Sequence, residues 1–134
     1  MKDILGLTKT HKAVIIGGGR IGQALANYKG FKAEGVEIKA VFDIETKHIK
    51  GLKEIEVLHI DNLEEYIAKN GIEIAIVSVQ KEMAEQVSRR AINSGIKAIW
   101  NFAPIDLYFG EDVVCENINM SESLIRLIYK SKNV

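Results

Sequence analysis

Apolar residues along this chain of 134 come in short bursts that alternate between two periods. Lys12 to Ile16 and Val36 to Phe42 are compact runs rich in β-branched residues, and each reads as a buried strand. Between them, Arg20 to Tyr28 carries Ile21, Ala24, Leu25 and Tyr28 at helical spacing. Glu45 to Gly51 fits a loop or a single helical turn, and Glu54 to Ile60 is a weaker third strand expected at a sheet edge. Asp61, with Glu64 three positions on, has the reciprocal capping pattern that opens a helix through Tyr66 to Lys69, and Gly71 ends it. Ile72 to Val79 is the most apolar strand of all, suited to the middle of a parallel sheet covered on both faces. Lys81 to Ser94 is an amphipathic helix through Met83, Ala84, Val87 and Ala91, closed by Gly95. Ile96 to Trp100 and Val113 to Ile118 complete six strands. Asn119 and Glu122 then cap a last helix, about 119–131, whose Leu124, Ile125, Leu127 and Ile128 either cover its own sheet or meet another chain.

Strands alternating with helices in this way predict an α/β fold, a doubly wound parallel sheet with right-handed crossovers in one domain spanning 1–134. The strand order 3-2-1-4-5-6 follows by analogy with dinucleotide-binding Rossmann folds. Candidate chemistry sits at the end of the first strand, where Gly17, Gly19 and Gly22 are spaced G-x-G-x-x-G ahead of a helix. Such a turn suits a pyrophosphate: Gly17 permits the tight bend, Gly19 lets backbone amides approach the phosphates, and Gly22 lets helix and strand pack closely. Asp43 ends the second strand, at the offset where such folds place a carboxylate for the adenosine ribose. A ligand is then expected across the ends of the first and fourth strands. Gly17 to Gly22 lie on one side, and Ser78, Val79 and Gln80 with Asn101 to Pro104 on the other.

Composition narrows the classes. The length allows one core and one function in one fold. Eighteen basic and eighteen acidic residues cancel, so the surface lacks the cationic excess with which a domain grips nucleic acid. Cys115 is the single cysteine, which excludes an internal disulfide and a thiolate metal cluster. His11, His48 and His59 fall on separate segments without convergent carboxylates, so no metal site is expected. No apolar run has the length of a membrane span and residues 1–10 lack the centre of a signal peptide, so the expected location is cytoplasmic.

The second half carries a more specific signal. Gly95 to Pro104 reads GIKAIWNFAP, Ile21 to Phe31 reads IGQALANYKGF, Phe42 and Asp43 read FD, and Cys115 to Ile118 read CENI. Together, and collinearly from about Ile4 to Leu127, these resemble the redox-sensing transcriptional repressors of the Rex family. The resemblance implies a non-enzymatic domain that binds NADH and NAD in a Rossmann fold, forms a homodimer through its C-terminal segment, and releases operator DNA when NADH is bound. It further implies that Gly17, Gly18, Gly19, Arg20, Ile21 and Gly22 contact the pyrophosphate and Asp43 the adenosine ribose. Ser78, Val79, Gln80, Asn101, Phe102, Ala103 and Pro104 then face the nicotinamide, and Tyr28 matches a tyrosine that couples ligand state to subunit arrangement.

Departures from the family pattern bear on the switch. The family's N-terminal winged-helix domain is not in this chain, so operator binding is expected only through a domain outside it, whether the chain is an excised domain or a paralogue. Gln80 stands where the family has proline, Asn119 and Met120 where it has an aspartate and an aromatic, and the chain ends soon after Tyr129, short of a full exchanged helix. Two other readings are open. A fragment of an NAD-dependent oxidoreductase would need an acid–base residue beside Gln80 or Asn101. A module for another adenosine ligand such as coenzyme A would need a cation near the ribose, where Asp43 stands.

Overall fold

The computed structural model describes residues 10–118 and 120–132. The expected cap at Asn119 and the reading of the first nine residues lie outside them. Six parallel strands form one sheet in the order β3-β2-β1-β4-β5-β6: β1 (His11–Ile16), β2 (Val36–Asp43), β3 (Glu56–His59), β4 (Ile74–Val77), β5 (Ala98–Asn101) and β6 (Val114–Asn117). β3 lies at an edge and β4 between β1 and β5, as their apolar patterns require. The helices are α1 (Arg20–Ala26), α2 (Gly30–Ala33), α3 (Leu63–Asn70), α4 (Lys81–Asn93) and α5 (Met120–Lys132). Gly71 at φ 61° closes α3 and Gly95 at φ 113° follows α4, each in the left-handed region that glycine enters at least cost.

Two cores lie on opposite faces of the sheet. Val14, Ile16, Ala40, Phe42, Ala75 and Val77 meet Leu63 and Ile67 of α3 and Ala84, Val87 and Ala91 of α4. Ala13, Ile15, Val41 and Ile76 meet Ala26, Phe31 and Ile49 on the other face. Strand alternation accounts for this division everywhere except β2. There Ala13 pairs with Ile38 but Val14 with Ala40, so Lys39 is an extra residue in a β-bulge. The bulge shifts the phase of the strand. Ile38 therefore packs on the α1 face, whereas Ala40 and Phe42 pack against α3 and α4.

Several local expectations are corrected. α1 ends at Ala26, not Tyr28, and a separate turn, α2, follows. Its anticipated stripe does not all point inward: Ala26 is buried, while Ile21 and Tyr28 are 38% and 60% exposed. Glu45 to Gly51 forms loop and turn without a helix. Asp61 does not cap α3; it sits in a 3-10 turn (Ile60–Asn62) and its own N–H donates to the His59 imidazole at 3.1 Å. Glu64, expected to reach back to that turn, instead binds Arg90, a charge-assisted pairing stronger than a bond to a neutral amide. α5 covers none of its own sheet: it has no buried residue, and Leu124, Ile125, Leu127, Ile128 and Tyr129 are all exposed.

On α4, Ser88 is fully buried and its hydroxyl finds no hydrogen-bond partner. Ser88→Ala removes an unsatisfied polar group and improves helix propensity, and is expected to stabilise the domain by ~1 kcal/mol. Thermal unfolding would register this as a rise in Tm of a few degrees, and a fall would mean that the hydroxyl is satisfied within its own helix.

Candidate functional site

A cleft of ≈ 390 Å³ opens where the winding reverses, at the carboxyl ends of β1, β2 and β4. Its walls come from Ile16, Gly17 and Gly19 after β1, from Phe42, Asp43 and Ile44 after β2, and from Ser78, Val79 and Gln80 after β4. Ile60 and, on α4, Met83, Val87 and Arg90 close the far end.

The three spaced glycines take three distinct geometric parts. Gly17 has φ 110°, and a Cβ on it would meet the Ser78 carbonyl oxygen at 2.7 Å. A Cβ on Gly22 would stand 1.8 Å from the Gly17 oxygen, so helix and loop touch through bare backbone. At Gly19 a Cβ would meet nothing within 4 Å, and the residue is exposed at the cleft. Steric demand inside the protein therefore explains Gly17 and Gly22 and leaves Gly19 without an internal reason to lack a side chain.

Asp43 joins this loop to β2. The Gly18 N–H donates to Asp43 Oδ2 at 2.6 Å, and the Glu45 N–H donates to Oδ1 at 3.2 Å. Each oxygen has accepting capacity left, because a carboxylate offers about four lone-pair sites. The Gly18 carbonyl is held as well, by Gln23 Nε2 at 2.8 Å and by His48 Nε2 at 3.2 Å, the latter requiring the proton on that nitrogen. Ser78 Oγ donates to the Gly17 carbonyl at 2.9 Å, tying β4 to the same turn. The loop is thus set in shape by its own chain.

The remaining expected residues are distributed unevenly. Gly18 and Gly22 are buried beneath the turn, and Arg20 and Ile21 are exposed at the start of α1. Asn101, Phe102, Ala103 and Pro104 lie beyond β4 at the end of β5 and do not line the cleft. Asn101 is fully buried, and its side chain is committed to the following loop. Its Nδ2 donates to the Ile105 carbonyl at 2.6 Å and to Asn117 Oδ1 at 2.9 Å, while Oδ1 accepts from the Ala103 N–H at 2.9 Å. Asn117 in turn exchanges hydrogen bonds with the Leu107 backbone. Together with Asn117, the Asn101 side chain thus holds the loop from Ala103 to Leu107 in place. Phe102 is half-buried with its ring 4.6 Å from that of Trp100, Ala103 belongs to the core, and Pro104 is exposed.

Sequence reading missed Arg90. Its Nε and Nη2 form a two-pronged bond with Glu64 of α3 at 2.5 and 2.8 Å, and Nη2 also donates to the Ile60 carbonyl at 2.9 Å. Only the i, i+3 register of Arg90 with Val87 on the cleft-facing side of α4 could have signalled it. The Arg90 guanidinium holds the Glu64 carboxyl below its ordinary value of 4.5, against an opposing effect of burial. A lowered native value means that the pair's contribution is complete above the ordinary value and is lost as the pH falls through the lowered one. Glu64→Gln is therefore expected to be less stable than wild type at neutral pH, with the gap narrowing below pH 4.5, as denaturant midpoints measured across that range would record.

Among the lining side chains, Asp43 and Arg90 are the only charged ones, and both are engaged with other protein groups. No histidine, lysine or tyrosine among the described residues lines the cleft to serve as an acid or base. The cleft is equipped for holding a ligand. Among the described residues no helix is long and apolar enough to cross a membrane.

Comparison with known proteins agrees with this geometry. A family model described as the CoA binding domain matches residues 8–105. The redox-sensing transcriptional repressor Rex of Caldanaerobacter subterraneus subsp. tengcongensis is 46% identical over 131 residues, 97% of this chain and 58% of that protein. The chain thus spans about three fifths of the length of the curated relatives it matches. The crystal structure of RSP with beta-NAD+ and operator DNA superposes with a TM-score of 0.91 at 41% identity, covering 98% of this chain and 61% of that one. RSP with beta-NADH gives 0.85 at 40% identity, covering 98% and 65%. Likeness of this extent, over a sheet of this order and a cleft at its reversal point, makes the assignment: the chain belongs to the CoA-binding domain family, as a homologue of the NAD(H)-binding domain of the Rex repressors.

Proposed function

We propose that this domain is a cytoplasmic, non-enzymatic sensor that binds NADH and NAD and passes their ratio to a second copy of itself. The observation that carries the reading is the Gly18–Asp43 bond of 2.6 Å beside an open, side-chain-free Gly19 at the mouth of the cleft. In this reading the diphosphate lies along the backbone from Gly17 to Gly22, including Gly18, Arg20 and Ile21, and Asp43 accepts the adenosine ribose hydroxyls. The nicotinamide extends past Ser78, Val79 and Gln80 toward Phe102, Ala103 and Pro104, with Asn101 fixing that loop from beneath. RSP with NAD+ was crystallised on operator DNA. Operator contact is proposed here only through a winged-helix domain outside this chain.

Asp43 favours NAD(H) over coenzyme A or a 2′-phosphorylated dinucleotide. A carboxylate fixed there by two backbone N–H groups repels a phosphate on the ribose. The family model's description keeps coenzyme A as the competitor to be measured.

Gly19 gives the cleanest test, because its φ of −76° suits any residue and no internal atom opposes a side chain. Gly19→Val is expected to leave Tm within a degree or two and to abolish the NADH fluorescence change seen on titrating wild type. Asp43→Ala should weaken NADH by about tenfold or more, the scale of a lost hydrogen bond to a charged group. Wild type that fails to bind NADH near millimolar concentration, or that prefers coenzyme A in competition, sinks the reading.

Dimerisation rests on α5. Met120, Leu124 and Leu127 form one seam at coiled-coil spacing with Ile128 beside it, and these side chains are 47–63% exposed. An apolar stripe of that kind left uncovered on a soluble chain marks an interface. Light scattering should give twice the 14.9 kDa of one chain, and Leu124→Asp with Ile128→Asp should return it to 14.9 kDa. A monomeric wild type would reject the dimer.

A further inference from the structure

We propose that Arg90 is a specificity residue for the purine, a flat cationic wall on which the adenine ring stacks. The inference rests on the dinucleotide reading of the cleft and deepens it. Beyond Phe42 and Asp43 beside the glycine turn, the cleft is lined by Ile44, Ile60, Met83 and Val87, all apolar, with Arg90 as the charged side chain among them. An apolar wall of this kind suits a neutral aromatic ring better than a phosphate.

The guanidinium is held in a single orientation. Nε and Nη2 are both taken by the Glu64 carboxylate, and Nη2 also by the Ile60 carbonyl. The edge bearing them is therefore turned to Glu64 and Ile60, which leaves the plane as the broad surface Arg90 can offer the cleft it lines. Guanidinium planes stack on nucleobases, and the contact strengthens where water is excluded. Glu64 balances the charge, so the site gains the flat surface without an uncompensated cation. Lysine would keep the charge and lose the plane.

Calorimetric titration of ADP, UDP and NADH into wild type, Arg90→Lys and Arg90→Ala separates the possibilities. ADP and UDP share ribose and diphosphate, so their affinity ratio reports on the base alone. Wild type is expected to prefer ADP, and both variants to lose about tenfold in ADP affinity and at most about twofold in UDP affinity, collapsing the ratio roughly fivefold. An Arg90 that only braces α3 against α4 would weaken both nucleotides alike, and an unchanged ratio in both variants overturns the proposal, as does a wild type without preference for ADP. Arg90→Lys retains an ion pair to Glu64, so it tests the contact even if Arg90→Ala fails to fold. Binding of ADP without NADH would defeat the redox-ligand reading and leave Arg90 to be decided by the ADP to UDP ratio. Binding of NADH with an unaltered ratio would defeat only the role of Arg90.

Discussion

The hydrogen bond from the Gly18 amide to Asp43 Oδ2 joins two loops that enter the site from different strands. It makes the glycine turn and the end of β2 one rigid unit. A carboxylate at a strand end is strongly hydrated in water, and its transfer to a cleft is favourable only when N–H groups replace that water. Two amides do so here, Gly18 and Glu45, and the carboxylate in return fixes the peptide on which a diphosphate would rest. Ser78 holds the carbonyl of that same peptide, at Gly17, and Gln23 and His48 hold the carbonyl of the next one, at Gly18. Little reorganisation would then be left for the moment of binding, which favours affinity in a small loop of bare backbone.

That bond depends on the β2 bulge. Were Lys39 paired regularly rather than bulged out, strand alternation would carry Ile38 and Ala40 to the same face and reverse the sides of Phe42 and Asp43 relative to the start of the strand. With it, Phe42 enters the core against α3 and α4, and Asp43 turns to the face that bears the glycine loop. Ile49 adds a second anchor by packing over Gly18 from the β2–β3 loop. A single bulge on the second strand thus aligns a hydrophobic core on one side and Asp43 with the glycine loop on the other.

The strands, the central place of β4 and the position of the cleft were legible because they rest on periodicity and on glycines with positive φ or crowded surroundings, which the chain records directly, whereas the order of the sheet came by analogy. The bulge was not, since one extra residue in an apolar strand changes no pattern that a window can detect. The cap at Asp61 misled for a different reason. Its partner Glu64 had a stronger alternative in Arg90, twenty-six residues away, and long-range charge pairs leave no local signature. Asn101 shows the limit of a motif: NFAP locates the β5 turn correctly, but whether its amide meets a ligand or the backbone of the same loop is decided by Asn117, opposite it in the sheet register. The inward-facing stripe expected of α1 failed because the helix stops two residues early and leaves Tyr28 outside, edge-on to Phe31.

The division of the site has a thermodynamic consequence for redox sensing. NAD and NADH are identical through adenine, both riboses and the diphosphate, so the contacts proposed for the glycine turn, Asp43 and Arg90 would contribute equally to both. Such contacts raise affinity and discriminate nothing, because a ligand shifts an equilibrium only through differential interaction. Discrimination has to arise at the nicotinamide, which differs by one positive charge and by ring planarity. In the proposed reading that end is bordered by neutral groups, Gln80, Phe102 and Pro104, the latter two on a loop stapled from beneath by Asn101 and Asn117. Placing the charge-sensitive contact on a second copy, through exposed α1 and α5 surfaces, would let one preformed cleft retain either nucleotide while the dimer geometry reads which is present.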